Sequence, residues 1–251
     1  MNILGVRIDN YNLKQAEEKV CSFLEQKKQC KIFTPNPEML VHAQKDEYFK
    51  KVLNSGDINL CDGRGIQFVS KEKLHRIPGS DFVHNLCSIA QDKELSVFIL
   101  GGANQELAKK AGDNLKLKYP DLKVVGTYGG FLLKDNGEEL KLNINENNKI
   151  IENIKNSRAD ILFVCLGMGR QEKWIYQNLY KMPSVKIVGG FGGTVDFLAG
   201  NIKRAPKWMR RSGLEWLYRL IKQPSRLPRI FNATIKFLFI YYFKLSFRPR
   251  R

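Results

Sequence analysis

SVFILGG (96–102), ADILFVCLGMG (159–169) and VKIVGGFGG (185–193) are three short β-rich runs, each ending at a glycine turn. Segments of helical period, 104–118, 146–156 and 170–180, lie between and after them. The pattern extends outward. NILGV (2–6), KIFTPN (31–36), DINLCDG (57–63) and KVVGTYGG (123–130) read as further strands. Residues 12–28 place Ala16, Val20, Phe23 and Leu24 on one helical face, Pro37 suits the first turn of a helix running toward Lys51, and 81–91 is a further helical segment. Strands alternating with helices predict an α/β fold: a mainly parallel, Rossmann-like sheet with helices on both faces. Such sheets bind ligands at the carboxyl ends of their strands.

Composition divides the chain. Its 251 residues are 43% hydrophobic and 11% aromatic, which marks a folded protein, and carry a net charge of +17. Residues 201–251 hold 14 Lys/Arg against one acid, Glu215, whereas residues 1–200 hold 28 Lys/Arg and 24 Asp/Glu. We therefore expect an α/β domain over 1–198 and a basic helical appendage over 199–251 that seeks an anionic surface. The five cysteines are scattered, with no CxxC pair, and read as free thiols in a reducing compartment. No secretory signal and no uninterrupted apolar span long enough to cross a bilayer is visible.

The loops after the strands hold the chemistry. In TPNPEM (34–39), Thr34 and Asn36 stand two apart between stiffening prolines; Asn36 is equally suited to cap the helix begun by Pro37. In CDGRG (61–65), Asp62 ends a strand, where a carboxylate can serve as general base or simply make an Asp-Gly turn. Arg64 beside it would favour the ionised form. RIPGSDF (76–82) puts Arg76 before a helix start, with Ser80 or Asp81 as cap, an arrangement suited to phosphate. In LGMGRQEKW (166–174), Gln171 can hydrogen-bond a sugar hydroxyl or merely open a helix. LGGANQE (100–106) and VGGFGGTVDF (188–197) are glycine turns able to approach diphosphate, but neither is a P-loop or dinucleotide fingerprint. No DxD stretch, zinc spacing of His42, His75 and His84, or GxSxG elbow is present, so we expect neither a metal nor a cofactor.

If 208–222 is one helix, Arg211, Glu215, Arg219, Lys222 and Arg226 form a stripe, with Glu215 able to pair with Arg211 and Arg219. Met209, Trp216, Leu217 and Leu220 face elsewhere. A basic face opposite Trp and Leu suits a membrane interface, and 231–247 adds a dense set of aromatic and aliphatic residues. Nucleic acid would satisfy the charge but leave the apolar content without a role. A soluble nucleotide-sugar epimerase would suit the α/β pattern but not the tail.

TPNPEM, DGRG, RIPGSD, LGMGRQEKW, GGTVDFLAGNIKRAPKWMRRSGLEWLYRL (192–220) and QPSRLPR (223–229) occur in the order seen in the WecG/TagA/CpsF glycosyltransferases, which the chain resembles over nearly its whole length. The resemblance implies an inverting, metal-independent transfer from a UDP-sugar donor to a polyprenyl-diphosphate-linked sugar at the cytoplasmic membrane face. In the TagA branch N-acetylmannosamine is added to N-acetylglucosaminyl-diphospho-undecaprenol for wall teichoic acid. In the WecG branch the sugar is N-acetylmannosaminuronic acid, and other members serve capsule or exopolysaccharide assembly, for which UDP-glucose is an alternative donor. It implies Asp62 as catalytic base, Thr34 and Asn36 near it, Arg76 on the donor diphosphate and Gln171 on substrate. It also implies that residues from about 200 form an appendage that closes over the pocket and touches the membrane, on which Arg211, Arg219, Lys222 and Arg226 are the candidate residues. Residues 231–251 extend past the shared block, and homo-oligomerisation is left open.

Overall fold

The computed structural model describes residues 1–70, 73–131, 133–135, 140–141 and 143–246. In chain order the elements are a hairpin of β1 (Asn2–Ile3) and β2 (Val6–Arg7), then α1 (Leu13–Glu25), β3 (Cys30–Phe33), α2 (Pro37–His42), α3 (Glu47–Asn54), β4 (Ile58–Asn59) and α4 (Arg64–Val69). There follow α5 (Gly79–Asp92), β5 (Ser96–Gly101), α6 (Gln105–Lys118), β6 (Lys123–Tyr128), a second hairpin β7 (Lys134–Asp135) and β8 (Leu140–Lys141), and α7 (Ile144–Ser157). The sheet is completed by β9 (Ile161–Cys165), α8 (Arg170–Asn178), β10 (Ile187–Gly190) and α9 (Thr194–Leu198). Beyond it run α10 (Lys207–Ser212), α11 (Glu215–Lys222), α12 (Leu227–Phe231) and α13 (Phe237–Ser246), the last two joined by a π-helical turn over Asn232–Lys236.

Six strands form one parallel sheet in the order β4-β3-β10-β9-β5-β6. Side-chain direction alternates along each strand, so each contributes to two cores. Phe33, Leu100, Leu162, Val164 and Val188 face one core. Ile32, Ile99, Ile161, Phe163 and Ile187 face the other. The α/β expectation is thus met, with helices on both faces. From β3 the chain steps to one edge of the sheet, and from β5 to the other; that reversal leaves a crevice over the central strand ends.

Two expected elements are divided. The segment from Pro37 to Lys51 breaks into α2 and α3, because Asp46 caps α3 by accepting from Phe49 N at 2.8 Å and receives the fully buried Lys173 ammonium at 2.6 Å. A buried cation without that carboxylate would be costly, so the break in the helix is fixed from α8. NILGV is not a strand of the sheet: Leu4 and Gly5 both take positive φ and fold it into the β1–β2 hairpin. All five cysteines are free and four are buried.

Candidate active site

The loops leaving β3, β4, β5, β9 and β10 surround a polar cavity of about 390 Å³ at the strand carboxyl ends. Thr34, Asn36, Asp62 and Gln171 all line it. A second cavity of about 500 Å³ adjoins it, and Asn36, Asp62, Ser80, Arg226 and Arg229 line both. Asp62 therefore stands where the two spaces meet.

Local geometry holds Asp62 there. Its backbone N–H donates to Pro35 O at 3.0 Å, and Oδ2 accepts from Gly79 N at 3.3 Å. Gly63 follows at φ +150°, and a Cβ there would lie 2.7 Å from Pro37 Cδ. Only glycine lets the Asp62 loop press against the Thr34–Pro37 loop in this way. Thr34 is buried, its Oγ1 donating to Gly190 O at 3.5 Å. Asn36 does cap α2, its Oδ1 accepting from Met39 N at 3.0 Å, while also lining both cavities.

Gln171 is pinned at both ends of its amide. Nε2 donates to Glu172 Oε1 at 2.7 Å and Oε1 accepts from Gly192 N at 2.8 Å, tying α8 to the loop after β10. Gly190 makes room: a Cβ there would sit 3.0 Å from Gln171 Nε2. Glu172 also accepts from Gly169 N at 2.8 Å. Burial raises its carboxyl to about 7, against the smaller opposing effect of hydrogen bonds from Gln171 and Gly169. A carboxyl raised from 4.5 holds its proton in the folded state when the unfolded chain has lost it. Its contribution thus falls as pH rises from about 4.5 to about 7, by on the order of 3 kcal/mol. We expect urea unfolding between pH 5 and 8 to show this decline, and Glu172→Gln to flatten it. An unchanged slope in the variant would locate the proton elsewhere. The Cys165 thiol in the cavity wall is pushed by burial to about 12 and is no nucleophile.

The remaining expected residues are distributed differently. Arg76 lines the second cavity, not the first, and its Nη2 donates to Arg210 O at 2.9 Å, gripping the segment beyond the sheet. Asp81 does not cap α5, which begins after Pro78 without a side-chain cap; its carboxylate instead pairs with Arg204 and Arg210. The expected single helix 208–222 is broken at Gly213, in left-handed conformation between α10 and α11, so the 211–226 stripe is not continuous. Glu215 faces Arg204 Nη2 at 3.7 Å. Arg226 lines both cavities, whereas Lys222 is exposed and lines neither. Arg211 and Arg219 fall on α10 and α11, and their side chains lie outside the described residues.

Arg229 was not anticipated. It lines both cavities and grips Glu38 through a two-pronged contact, Nε to Oε1 at 3.0 Å and Nη2 to Oε2 at 3.0 Å. With Arg170 and Arg226 it gives the polar cavity three arginines in its lining, a charge suited to a diphosphate. Among the described residues no three His, Cys, Asp or Glu side chains converge on a common point that could hold a metal ion.

The whole chain, residues 1–251, matches the model of the glycosyl transferase WecG/TagA/CpsF family. The match includes 231–251, which the motifs alone had left outside. A Bacillus subtilis (strain 168) N-acetylglucosaminyldiphosphoundecaprenol N-acetyl-beta-D-mannosaminyltransferase is 32% identical over 214 residues, covering 84% of this chain and 78% of its own. The protein of the same description from Staphylococcus aureus (strain MW2) is 28% identical, covering 100% of this chain and 94% of its own.

Proposed function

Because this chain belongs to the WecG/TagA/CpsF glycosyltransferase family, we propose that it moves N-acetylmannosamine from UDP to a polyprenyl-diphosphate-linked N-acetylglucosamine. The names of the B. subtilis and S. aureus relatives support this sugar and this acceptor. The place of the reaction is the inner face of the cytoplasmic membrane, and the product serves wall teichoic acid or a related surface polysaccharide. The observation that carries the reading is the position of Asp62, a carboxylate at a strand end where a polar cavity and a second cavity meet.

In this mechanism the UDP diphosphate occupies the polar cavity near Arg170, Arg226 and Arg229. Asp62 accepts the proton of the acceptor sugar hydroxyl as its oxygen attacks the anomeric carbon. The bond to the diphosphate breaks on the opposite face, and its electron pair leaves on the UDP oxygen, where the guanidinium groups stabilise the growing charge. One base and one anion site suffice for a single displacement with inversion. Thr34 and Gln171 shape the sugar side of the cavity, and Gly190 and Gly192 fix where they stand.

Residues from 199 onward act as the appendage that meets the membrane. No helix among the described residues is long and apolar enough to cross one. Helices α12 and α13 form one rod with two unlike faces. Phe237 is fully buried against α2 and α4, and Tyr241 OH donates to Val69 O at 2.8 Å. On the other side Phe231, Ile235, Phe239 and Phe243 are each at least half exposed, at four-residue spacing. A helix apolar on both faces, with cations nearby, suits a site lying in the headgroup zone.

A donor panel tests the reading: UDP-linked N-acetylmannosamine, N-acetylglucosamine, glucose and N-acetylmannosaminuronic acid, each with a short-chain lipid-diphosphate N-acetylglucosamine. N-acetylmannosamine should transfer fastest. Faster transfer of another sugar would reassign the donor, and transfer of none would remove the proposed reaction.

A further inference from the structure

The second cavity differs in character from the first. Its walls include Phe68, Trp216, Ile230, Ala233, Phe237 and Leu238. Four of these six come from residues 230–238, so the C-terminal rod is a wall of this space as well as an outer surface. At one end the cavity reaches Asn36 and Asp62, and Arg64, Arg76, Arg226 and Arg229 also line it. On the other side Phe68, 72% exposed, and Trp216, 43% exposed, leave it open.

We propose that this groove seats the isoprenoid units next to the diphosphate of the acceptor, built by α4 on one side and by α11 to α13 on the other. The inference rests on the reaction proposed above and adds where the lipid lies. Three features select an isoprenoid diphosphate. The groove is continuous with the polar cavity through Asp62, so a chain lying in it presents its head at the base. Arg64 and Arg76 line the groove and not the polar cavity, so they suit the charged head of an acceptor, while Phe68, Trp216, Ile230, Ala233, Phe237 and Leu238 suit a branched hydrocarbon tail, and the carboxylates Glu38 and Glu215 also lie on the wall. Its volume of about 500 Å³ admits a few isoprene units, and the rest of a longer chain leaves past the exposed Phe68. The tail then fixes the distance of the acceptor hydroxyl from Asp62, and with it the choice of prenyl-linked over free sugar.

The test compares binding of farnesyl diphosphate and inorganic diphosphate to the full-length protein by calorimetry, below the micelle concentration of the lipid. Wild type should bind farnesyl diphosphate at least thirtyfold more tightly. Ala233→Trp, which fills the groove, and Phe68→Glu, an exposed position that places charge at its mouth, should each reduce that preference to threefold or less. Loss of affinity for both ligands in Ala233→Trp reports a folding defect, and Phe68→Glu then decides. No preference in wild type, or a preference that survives Phe68→Glu and a folded Ala233→Trp, overturns the proposal. A protein that shows the preference but transfers no sugar keeps the groove and loses the proposed reaction, which separates the two claims.

Discussion

We expect Asp62→Asn to lower turnover by about three orders of magnitude and to leave UDP affinity within a few-fold of wild type. The asparagine has the volume of the aspartate and retains an oxygen that can accept from Gly79 N. The Asp62–Gly63 turn, whose glycine sits at φ +150°, is unaltered, so the loop keeps its place against Pro37. What disappears is the capacity to take a proton from the attacking hydroxyl. The arginines lining the polar cavity are untouched, so the proposed nucleotide site should keep its affinity. Steady-state transfer, with UDP binding measured by calorimetry on the same preparation, checks both halves. Near-normal turnover would show that another group takes the proton.

Replacing Phe231, Ile235, Phe239 and Phe243 together by Ser should weaken binding to anionic vesicles by about a thousandfold. Burying such a side chain is worth about 1.5–3 kcal/mol when complete, and about 1 kcal/mol each for partial insertion gives the expected loss. The four are already exposed, with Phe239 and Phe243 stacked on each other at 5.9 Å, so their loss opens no core. Phe237 and Tyr241 still hold the rod to α2 and α4. Transfer to a soluble short-chain acceptor is the control for folding. If vesicle binding stays while a wild-type oligomer dissociates, the stripe is a contact between copies of the chain.

The sheet was legible because its strands are short β-rich runs ending at glycine turns, with helices between. That Asp62, Thr34, Asn36 and Gln171 stand on a cavity at the strand ends was legible for the same reason. Local spacing could not show partners distant in sequence. Arg229 reaches back 191 residues to Glu38, Arg76 forward 134 to Arg210, and Lys173 sets the helix break at Asp46 from 127 residues away. Helical period also overran Gly213, whose left-handed backbone turns α10 away from α11 and breaks the expected basic stripe. The sequence marked the tail as basic and aromatic. Its two faces, one buried around Phe237 and one exposed, needed the helix in place.

The account stands on a single displacement at Asp62, between a nucleotide cavity and a lipid groove. The most direct measurement is the anomeric configuration of the product, by NMR, after transfer from UDP-N-acetylmannosamine carrying carbon-13 at the anomeric carbon, whose bond to the diphosphate is α. A β-linked disaccharide on the lipid diphosphate, with one UDP released per sugar and none of the label on the protein, is the predicted result. An α-linked product, or a sugar trapped covalently on the enzyme, would contradict it.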